Sequence, residues 1–300
     1  MSNNKSSFTL LIVIALIAFG LVKIPSYFTS SERAYKELDN YLKNKYGEEF
    51  VINYMGLRSV NDKKWYEAGI VFPKSYIGTS KEKDTYYWGK GFVNVIGLKL
   101  EPGDSYGKVL LNESANNFYL PKLKELFGEN VLPVLDIKGG YDYTDFQKEL
   151  QVRNKLISGG IYIFGRVEND EDREKYREEI YKFLSFMKET GTFEYVALTF
   201  EVIDERILSP DFENVKKEFE GKVNINKRKE ILSKVKIPSP IEKKEKMNNL
   251  KRDEMSDFSG KLLLLYTQVY SEKYINSNYL DREKKAYNKS EDIDFTIQWY

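Results

Sequence analysis

Residues 160–203, GIYIFGRVENDEDREKYREEIYKFLSFMKETGTFEYVALTFEVI, decide the fold. The apolar run 160–167 predicts a short strand, and the partly alternating run from Phe193 to Ile203 predicts a second one. Between them, an acidic first turn, apolar residues at helical spacing and a terminal Gly191 predict a helix. Strand, helix and strand in succession favour a βαβ-like or split unit. The alternation indicates that one face of the sheet is solvated.

The preceding residues predict a helix followed by an antiparallel meander. Ser30 and Ser31 are suited to cap a helix that ends at Gly47, and the same helix–glycine–strand order recurs at Gly128 and Gly191. The link SVNDK between the first two strands is typical of a hairpin loop, and EPGDSYG is typical of a turn. The predicted elements are a helix over 32–46, strands over 49–57, 64–72 and 85–100, a helix over 119–127, a strand over 131–137 and a helix over 144–157.

The composition changes after Asp204. Residues 205–258 are Lys-rich, and the IPSPI motif at 237–241 interrupts any helix, so this segment is predicted to be a helical insertion or linker. Strand patterns return at 260–270 and in the final DIDFTIQWY. The predicted organisation is an anchor or signal segment at 1–30, an α+β body at 31–204, the charged segment at 205–258, and C-terminal strands at 259–300 that complete the body. We expect a mostly antiparallel sheet with helices on one face.

The N-terminal run from Phe8 to Val22, FTLLIVIALIAFGLV, carries no charge. Extended to Phe28, a helix covers about 31 Å, which matches a hydrocarbon core of about 30 Å. We therefore expect a single-pass membrane anchor over residues 8–28, in a bacterial cell membrane. A cleaved signal peptide with a secreted body and a buried soluble helix are the alternatives. The balance of flanking Lys and Arg slightly disfavours an exported body, whereas the short N-terminal flank favours an extracytoplasmic one.

The composition excludes several kinds of chemistry. The 300 residues include no His and no Cys, and the formal net charge is +1. Disulfides, thiolate nucleophiles, histidine-based triads and the usual zinc sites are therefore excluded. The balanced charge and the lack of nucleic-acid motifs predict no nucleic-acid partner. No phosphate-binding or dinucleotide motif is present, and no cofactor is expected.

An aromatic stretch, TYYWGKGF at 85–92, is the first candidate binding site. In a strand, Tyr86, Trp88 and Lys90 would share one face, where aromatic rings could stack on sugars or on a partner protein. An ordinary half-buried strand is the alternative explanation.

The loop DIKGGYDYTD at 136–145 is the second candidate. Asp142, Tyr143 and Asp145 are candidate binding residues, and Asp136, Asp142 and Asp145 could act as the acid and base of a glycosidase. The alternative is a turn in which Thr144 caps the next helix. The acidic stretch 167–174 lacks the order of a calcium loop, and no metal site is expected.

Three functions follow from these patterns. We expect a non-catalytic, membrane-anchored binding protein of the cell envelope, with an envelope protein or a glycan as its partner. A carboxylate-dependent hydrolase of envelope or extracellular glycans is the first alternative, since catalysis without His would depend on carboxylates, Lys, Tyr or Ser. An immunity-type protein that shields the cell from a toxin is the second, and its sequence would look the same as that of any other binding protein.

Overall fold

A computed structural model describes residues 30–138, 145–148, 156–219 and 224–298. The chain forms two compact units, one of Met1–Gly78 with Tyr87–Tyr106 and one of Thr79–Tyr86 with Gly107–Tyr300. Each contains a sheet with antiparallel strands and helices packed on it, so the α+β class is confirmed. In the part of the chain that the structure describes, no helix combines the length and apolar character needed to cross a membrane. The run Phe8–Val22 lies outside that part.

The first unit is a helix followed by an antiparallel meander, as predicted, but the meander has four strands and not three. The predicted strand over 85–100 is instead two strands, because Gly97, at a φ of +63°, reverses the chain in a two-residue turn. The predicted turn EPGDSYG lies largely within the second of these strands. The elements are α1 (Ser31–Tyr46), β1 (Phe50–Val60), β2 (Lys63–Pro73), β3 (Gly89–Ile96) and β4 (Lys99–Asp104).

Helix α1 packs its apolar face on this sheet. Ser30 caps the helix through the N–H of Arg33, and Ala34, Leu38 and Leu42 are buried. Leu38 lies so close to Gly91 that a Cβ at that position would be 2.6 Å from a Leu38 methyl group. At the other end of the helix, the Lys45 ammonium lies 2.8 Å from the buried Asp104 carboxylate. These contacts align α1 along the strands.

The second unit contains a five-stranded sheet in the order β5-β6-β7-β8-β9. All neighbouring strands are antiparallel except β6 and β7, which are parallel and are connected through helix α3, so the predicted βαβ unit is confirmed. The elements are α2 (Tyr106–Phe127), β5 (Val131–Lys138), β6 (Leu156–Gly165), α3 (Asp170–Glu189), β7 (Val196–Asp204), α4 (Phe212–Val215), α5 (Ile225–Ser233), α6 (Pro240–Asn249), α7 (Met255–Leu262), β8 (Leu263–Tyr270), α8 (Glu272–Ser277) and β9 (Ile297–Gln298).

Helices cover both faces of this second sheet, whereas the prediction placed helices on one face only. One core joins α2 and α3 to strand residues such as Leu135 and Ile161. The opposite core contains Phe164, Ile203 and residues of the Lys-rich segment, including Ile231 and Leu250. The reason is that β6 and β7 place apolar side chains on both faces at one end of the sheet.

Two predicted helices differ from the structure. Helix α2 begins at Tyr106 and not at Tyr119, because its first turns bury Leu111 and Ala115 despite several intervening polar residues. The helix predicted over 144–157 overlaps β6, which begins at Leu156, where the apolar residues pair with β5 and β7. Most of that predicted helix lies outside the described residues.

Candidate functional site

The aromatic candidates do not share one strand face. Residues Thr85–Tyr87 form a 3-10 turn and β3 begins only at Gly89, so the predicted strand face is corrected. Tyr86 belongs to the second unit, whereas Trp88 and Lys90 belong to the first. The half-buried Trp88 ring stacks on Phe72, with ring centroids 6.3 Å apart. Lys90 is exposed beside a shallow groove that is also lined by Trp65 and Phe92.

Asp84 forces the turn that removes Tyr86 from the strand. Its carboxylate is 2% exposed and accepts the backbone N–H groups of Arg252 at 2.7 Å, Tyr86 at 3.0 Å and Asp253 at 3.3 Å. Burial raises the pKa of Asp84, although these hydrogen bonds oppose the shift. Three donors on one buried carboxylate bind the segment 84–86 firmly to the residues around Arg252.

The Tyr86 side chain forms its hydrogen bonds with residues of the second unit. Its hydroxyl donates to the carbonyl of Leu135 at 2.8 Å and accepts from the Asn116 amide at 2.7 Å. The Arg252 guanidinium lies 5.3 Å from the centre of its ring. Burial raises the pKa of the Tyr86 phenol, which is therefore neutral at physiological pH. This geometry gives Tyr86 a structural role.

The loop carboxylates are paired with lysines. Lys108 lies 2.6 Å from Asp136, and Lys138 forms a second ion pair with the same carboxylate. Partial burial acts to raise the pKa of Asp136, but the two lysines outweigh it and hold the pKa below its usual range. Asp145 accepts the N–H of Lys148 at 3.2 Å and is half exposed. Asp142, Tyr143 and Thr144 lie outside the described residues.

Side chains cover much of the outer edge of strand β5, which pairs with β6 on its inner edge. The amide oxygens of Asn116 and Asn112 accept the N–H groups of Leu135 at 3.2 Å and Ile137 at 2.8 Å. The Leu135 carbonyl accepts from Tyr86, and the Pro133 carbonyl faces Nε of Arg252 at 3.4 Å. Proline has no N–H to leave unpaired. A strand edge whose backbone groups are bonded to side chains is protected from pairing with other chains.

The beginning of this edge opens into a cleft of about 600 Å³. Because outward backbone groups alternate along an antiparallel strand, the N–H and C=O of Val131 point in the same direction as those of Leu135. The cleft runs along β5 between α2 and α6. Its lining residues are Asn116, Asn117, Leu120, Lys124, Glu129, Asn130, Val131, Leu132, Pro133, Pro240, Lys243, Lys244, Met247, Asn248 and Arg252.

The cleft combines an apolar floor with a basic rim. Leu120 and Met247 pack against the two cores on either side of it, and both are half-buried. Lys243 is paired with Glu205 at 2.5 Å, whereas Lys244 is exposed and forms no ion pair with a described residue. Glu129, the single acidic lining residue, is paired with Lys124. Lys124, Lys243, Lys244 and Arg252 thus give the lining a positive charge. Among the described residues, no group of three carboxylates could hold a metal ion.

The sequence patterns missed this cleft. Asn112 and Asn116 are four residues apart, next to the buried Leu111, Ala115 and Tyr119. Two amides at that spacing beside an apolar face are a signal for polar groups that cover a neighbouring backbone. Arg252 gives no such signal, because only the fold places it against Pro133 and Tyr86.

The chain was also compared with known proteins. No protein-family model matches this chain, and no curated protein matches it. Among solved structures, the chain is similar to a crystal structure of a DUF5037 family protein from Ruminococcus gnavus ATCC 29149, with 17% sequence identity and a TM-score of 0.36. That alignment covers 66% of this chain and 85% of the other.

Proposed function

We propose that this chain is a non-catalytic binding protein of the bacterial cell envelope, and that the cleft beside β5 binds an acidic polypeptide segment of its partner. The observation that carries this proposal is the cleft itself, where an apolar floor, a basic rim and the outer edge of β5 at Val131 meet. Clefts of this size with a few convergent polar groups are the usual places for ligands.

The strand edge along the cleft favours a polypeptide over a compact small molecule. An extended peptide can bond to the outward N–H and C=O of Val131 and add a strand locally to β5. Its alternate side chains would then lie toward Leu120 on one side and Met247 on the other. Backbone pairing would supply affinity and the apolar contacts would supply selectivity.

The charge of the rim determines the chemistry of the partner. Lys244 is exposed, and Arg252 is half-buried in the lining of the cleft, where desolvation lowers its pKa. An acidic segment would complement these cations and would be attracted to them before contact. Basic segments would be rejected, because repulsion between like charges costs free energy at close range.

The hydrolase alternative has less support. A carboxylic acid that donates a proton near neutral pH needs a raised pKa, whereas two lysines lower the pKa of Asp136. Asp145 is half exposed and is bonded to the first turn of residues 146–148. Both carboxylates are accounted for by roles in the structure. An immunity-type protein would use the same cleft against a toxin.

The proposed setting is a membrane. Residues 8–28 would form a single-pass anchor, with the body on the extracytoplasmic side, and a secreted body after signal cleavage is the alternative. The composition supports the anchor because the run Phe8–Val22 is uncharged. Full-length protein should therefore fractionate with membranes and resist carbonate extraction. Uncleaved protein in the soluble fraction would contradict the anchor.

Selection from a library of random decapeptides tests the binding site. We expect enriched peptides to combine acidic and apolar residues, and Lys244→Glu to weaken their binding about tenfold, measured by fluorescence anisotropy. Lys229→Glu is the matched control, since Lys229 is an exposed helical lysine that does not line the cleft. Binding that is equally sensitive to both changes would contradict the site. Glycan hydrolysis that Asp136→Asn abolishes in a folded protein would contradict the non-catalytic function.

A further inference from the structure

The first unit exposes large apolar side chains at the tips of its two hairpins. Leu57 and Val60 lie at the end of β1 and are 56% and 60% exposed, and Ile96 and Leu98 lie at the β3–β4 turn and are 56% and 57% exposed. The strands β2 and β3 are neighbours, and Lys64 pairs with Val95, so both tips lie at the same end of the sheet. Such clustered apolar exposure is typical of an interaction site.

These tips lie at the same end of the unit as the beginning of α1. The chain reverses at Gly47 between α1 and β1, so β1 runs back along the helix toward residue 31. The contacts agree, since Tyr46 packs on Tyr106 close to Gly89, whereas Leu38 packs on Gly91, further toward the tips. The beginning of α1 therefore points in the direction of Val60 and Leu98.

The lengths of the two elements place the tips beyond the helix. Strand β1 has 11 residues and spans about 36 Å. Helix α1 has 16 residues and spans about 24 Å. The β1–β2 tip thus extends about 12 Å past the first residue of α1.

Basic and aromatic residues surround the exposed apolar groups. Lys63 and Lys64 are exposed at the start of β2, and Arg58 and Lys99 lie beside them on β1 and β4. Acidic residues are present as well: Arg58 contacts Glu67, Lys99 contacts Glu101, and the exposed Asp62 lies in the β1–β2 turn. Trp65 lies two residues from the turn and lines the groove of the open face. Apolar tips with flanking Lys, Arg and Trp are the composition of proteins that contact a membrane interface.

We propose that the two hairpin tips of the first unit insert into the headgroup region of an anionic phospholipid bilayer. This inference rests on the proposed anchor at residues 8–28. From Phe28 to Ser31 the chain spans at most about 10 Å, which keeps the beginning of α1 close to the membrane surface. Tips that project about 12 Å further in the same direction then reach the headgroups. Lys63 and Lys64 form no ion pair with a described residue, and their charges complement anionic lipid.

The absence of Cys allows a direct test on the full-length chain. Single Cys residues at Val60→Cys or Leu98→Cys carry a fluorescent label, and the protein is reconstituted into vesicles of phosphatidylcholine and phosphatidylglycerol that contain a lipid-borne quencher. Ser75→Cys is the matched control, because Ser75 is exposed beyond the opposite end of β2. We expect severalfold stronger lipid quenching at Val60 and Leu98 than at Ser75, and reduced quenching in vesicles of phosphatidylcholine alone.

The possible outcomes distinguish membrane insertion of the tips from membrane insertion of the anchor. Protein that floats with vesicles while both tip labels remain as exposed to water as the control overturns tip insertion and leaves the anchor intact. Protein that does not float overturns both. If Val60→Asp with Leu98→Asp abolishes flotation, the tips hold the protein and the anchor is wrong. Labels shielded from water but not quenched by lipid, with a dimer by cross-linking, would assign the tips to a second copy of this chain and overturn the lipid contact.

Discussion

The two sheets of this protein differ in how far helices and side chains cover their faces and edges. In the second unit, helices lie on both faces, and side chains of Asn112, Asn116 and Tyr86 bond to the outer edge of β5. Among the described residues of the first unit, α1 is the only helix that covers the sheet, and the groove around Trp65 and the hairpin tips are exposed. Because helices and side chains cover most of the second sheet, the cleft at the beginning of β5 is an exception there. Among the described residues of the first unit, four of the seven large apolar side chains that are exposed lie at the hairpin tips: Leu57, Val60, Ile96 and Leu98.

The largest expected effect comes from Asp84, which binds segment 84–86 to the second unit. Asp84→Ala removes the acceptor of three backbone N–H groups in a nearly buried site. An unpaired buried donor costs about 1–3 kcal/mol, and these hydrogen bonds are only partly buried, so we expect the free energy of unfolding of this unit to fall by about 3 kcal/mol. Asp84→Asn keeps one acceptor oxygen and should cost less. Denaturant titration measures both, and a loss below about 1 kcal/mol for Asp84→Ala would contradict this role.

Gly91 tests the close packing of α1 on the first sheet. Gly91→Ala puts a methyl group 2.6 Å from Leu38 and 3.1 Å from Val71, so we expect a loss of about 1–3 kcal/mol from overpacking. Gly56→Ala is the control, because its added methyl group would meet no atom within 4 Å. Adding Leu38→Ala to Gly91→Ala should give a smaller total loss than the sum of the single changes. Strict additivity in thermal unfolding would rule out the clash.

Asn116 tests the covering of the β5 edge. Asn116→Ala leaves the Leu135 N–H without its acceptor and removes a donor to Tyr86, so we expect a loss of about 1–2 kcal/mol. The neighbouring Asn117 is exposed, and Asn117→Ala should change stability by less than about 0.5 kcal/mol. Amide exchange at Leu135 should become faster only in the first variant. Equal effects of the two changes would show that the edge does not depend on Asn116.

The smallest expected effect is on the pH dependence of stability. The folded pKa of Asp136 lies below its ordinary value of 3.8, so the stability that its ion pairs supply is present above that pH. This stability is lost as the pH falls further, through the folded pKa. Asp136→Asn should therefore destabilise the protein near neutral pH and make the remaining stability less dependent on pH below 3.8. Parallel pH profiles of unfolding for the two proteins would contradict the lowered pKa.

Much of the fold could be predicted from local patterns. The amphipathic spacing of Leu38 and Leu42 and the capping glycines Gly47 and Gly191 give helix ends that agree with the structure. The parallel pairing of β6 and β7 follows from the strand–helix–strand order. These features depend on residues that are close together in sequence, so a local sequence pattern includes all of them.

The features that sequence patterns missed depend on residues distant in sequence. Thr85 and Tyr86 have strong strand propensity, yet Asp84 bonds to backbone groups 168 and 169 residues away and turns the chain. The cleft likewise needs α6 to lie beside β5, and nothing near Lys244 or Met247 in sequence indicates that arrangement. Tertiary contacts outweighed local propensity at both places.

Hydrogen exchange at the Val131 amide tests the proposed binding cleft most directly. We expect a selected acidic peptide to slow exchange of this amide in the wild-type protein and in Lys229→Glu, but much less in Lys244→Glu. The amides of Leu135 and Ile137 are internal references, because Asn116 and Asn112 already accept their hydrogen bonds. A peptide that binds tightly and leaves exchange at Val131 unchanged would contradict the placement of the partner along the edge of β5.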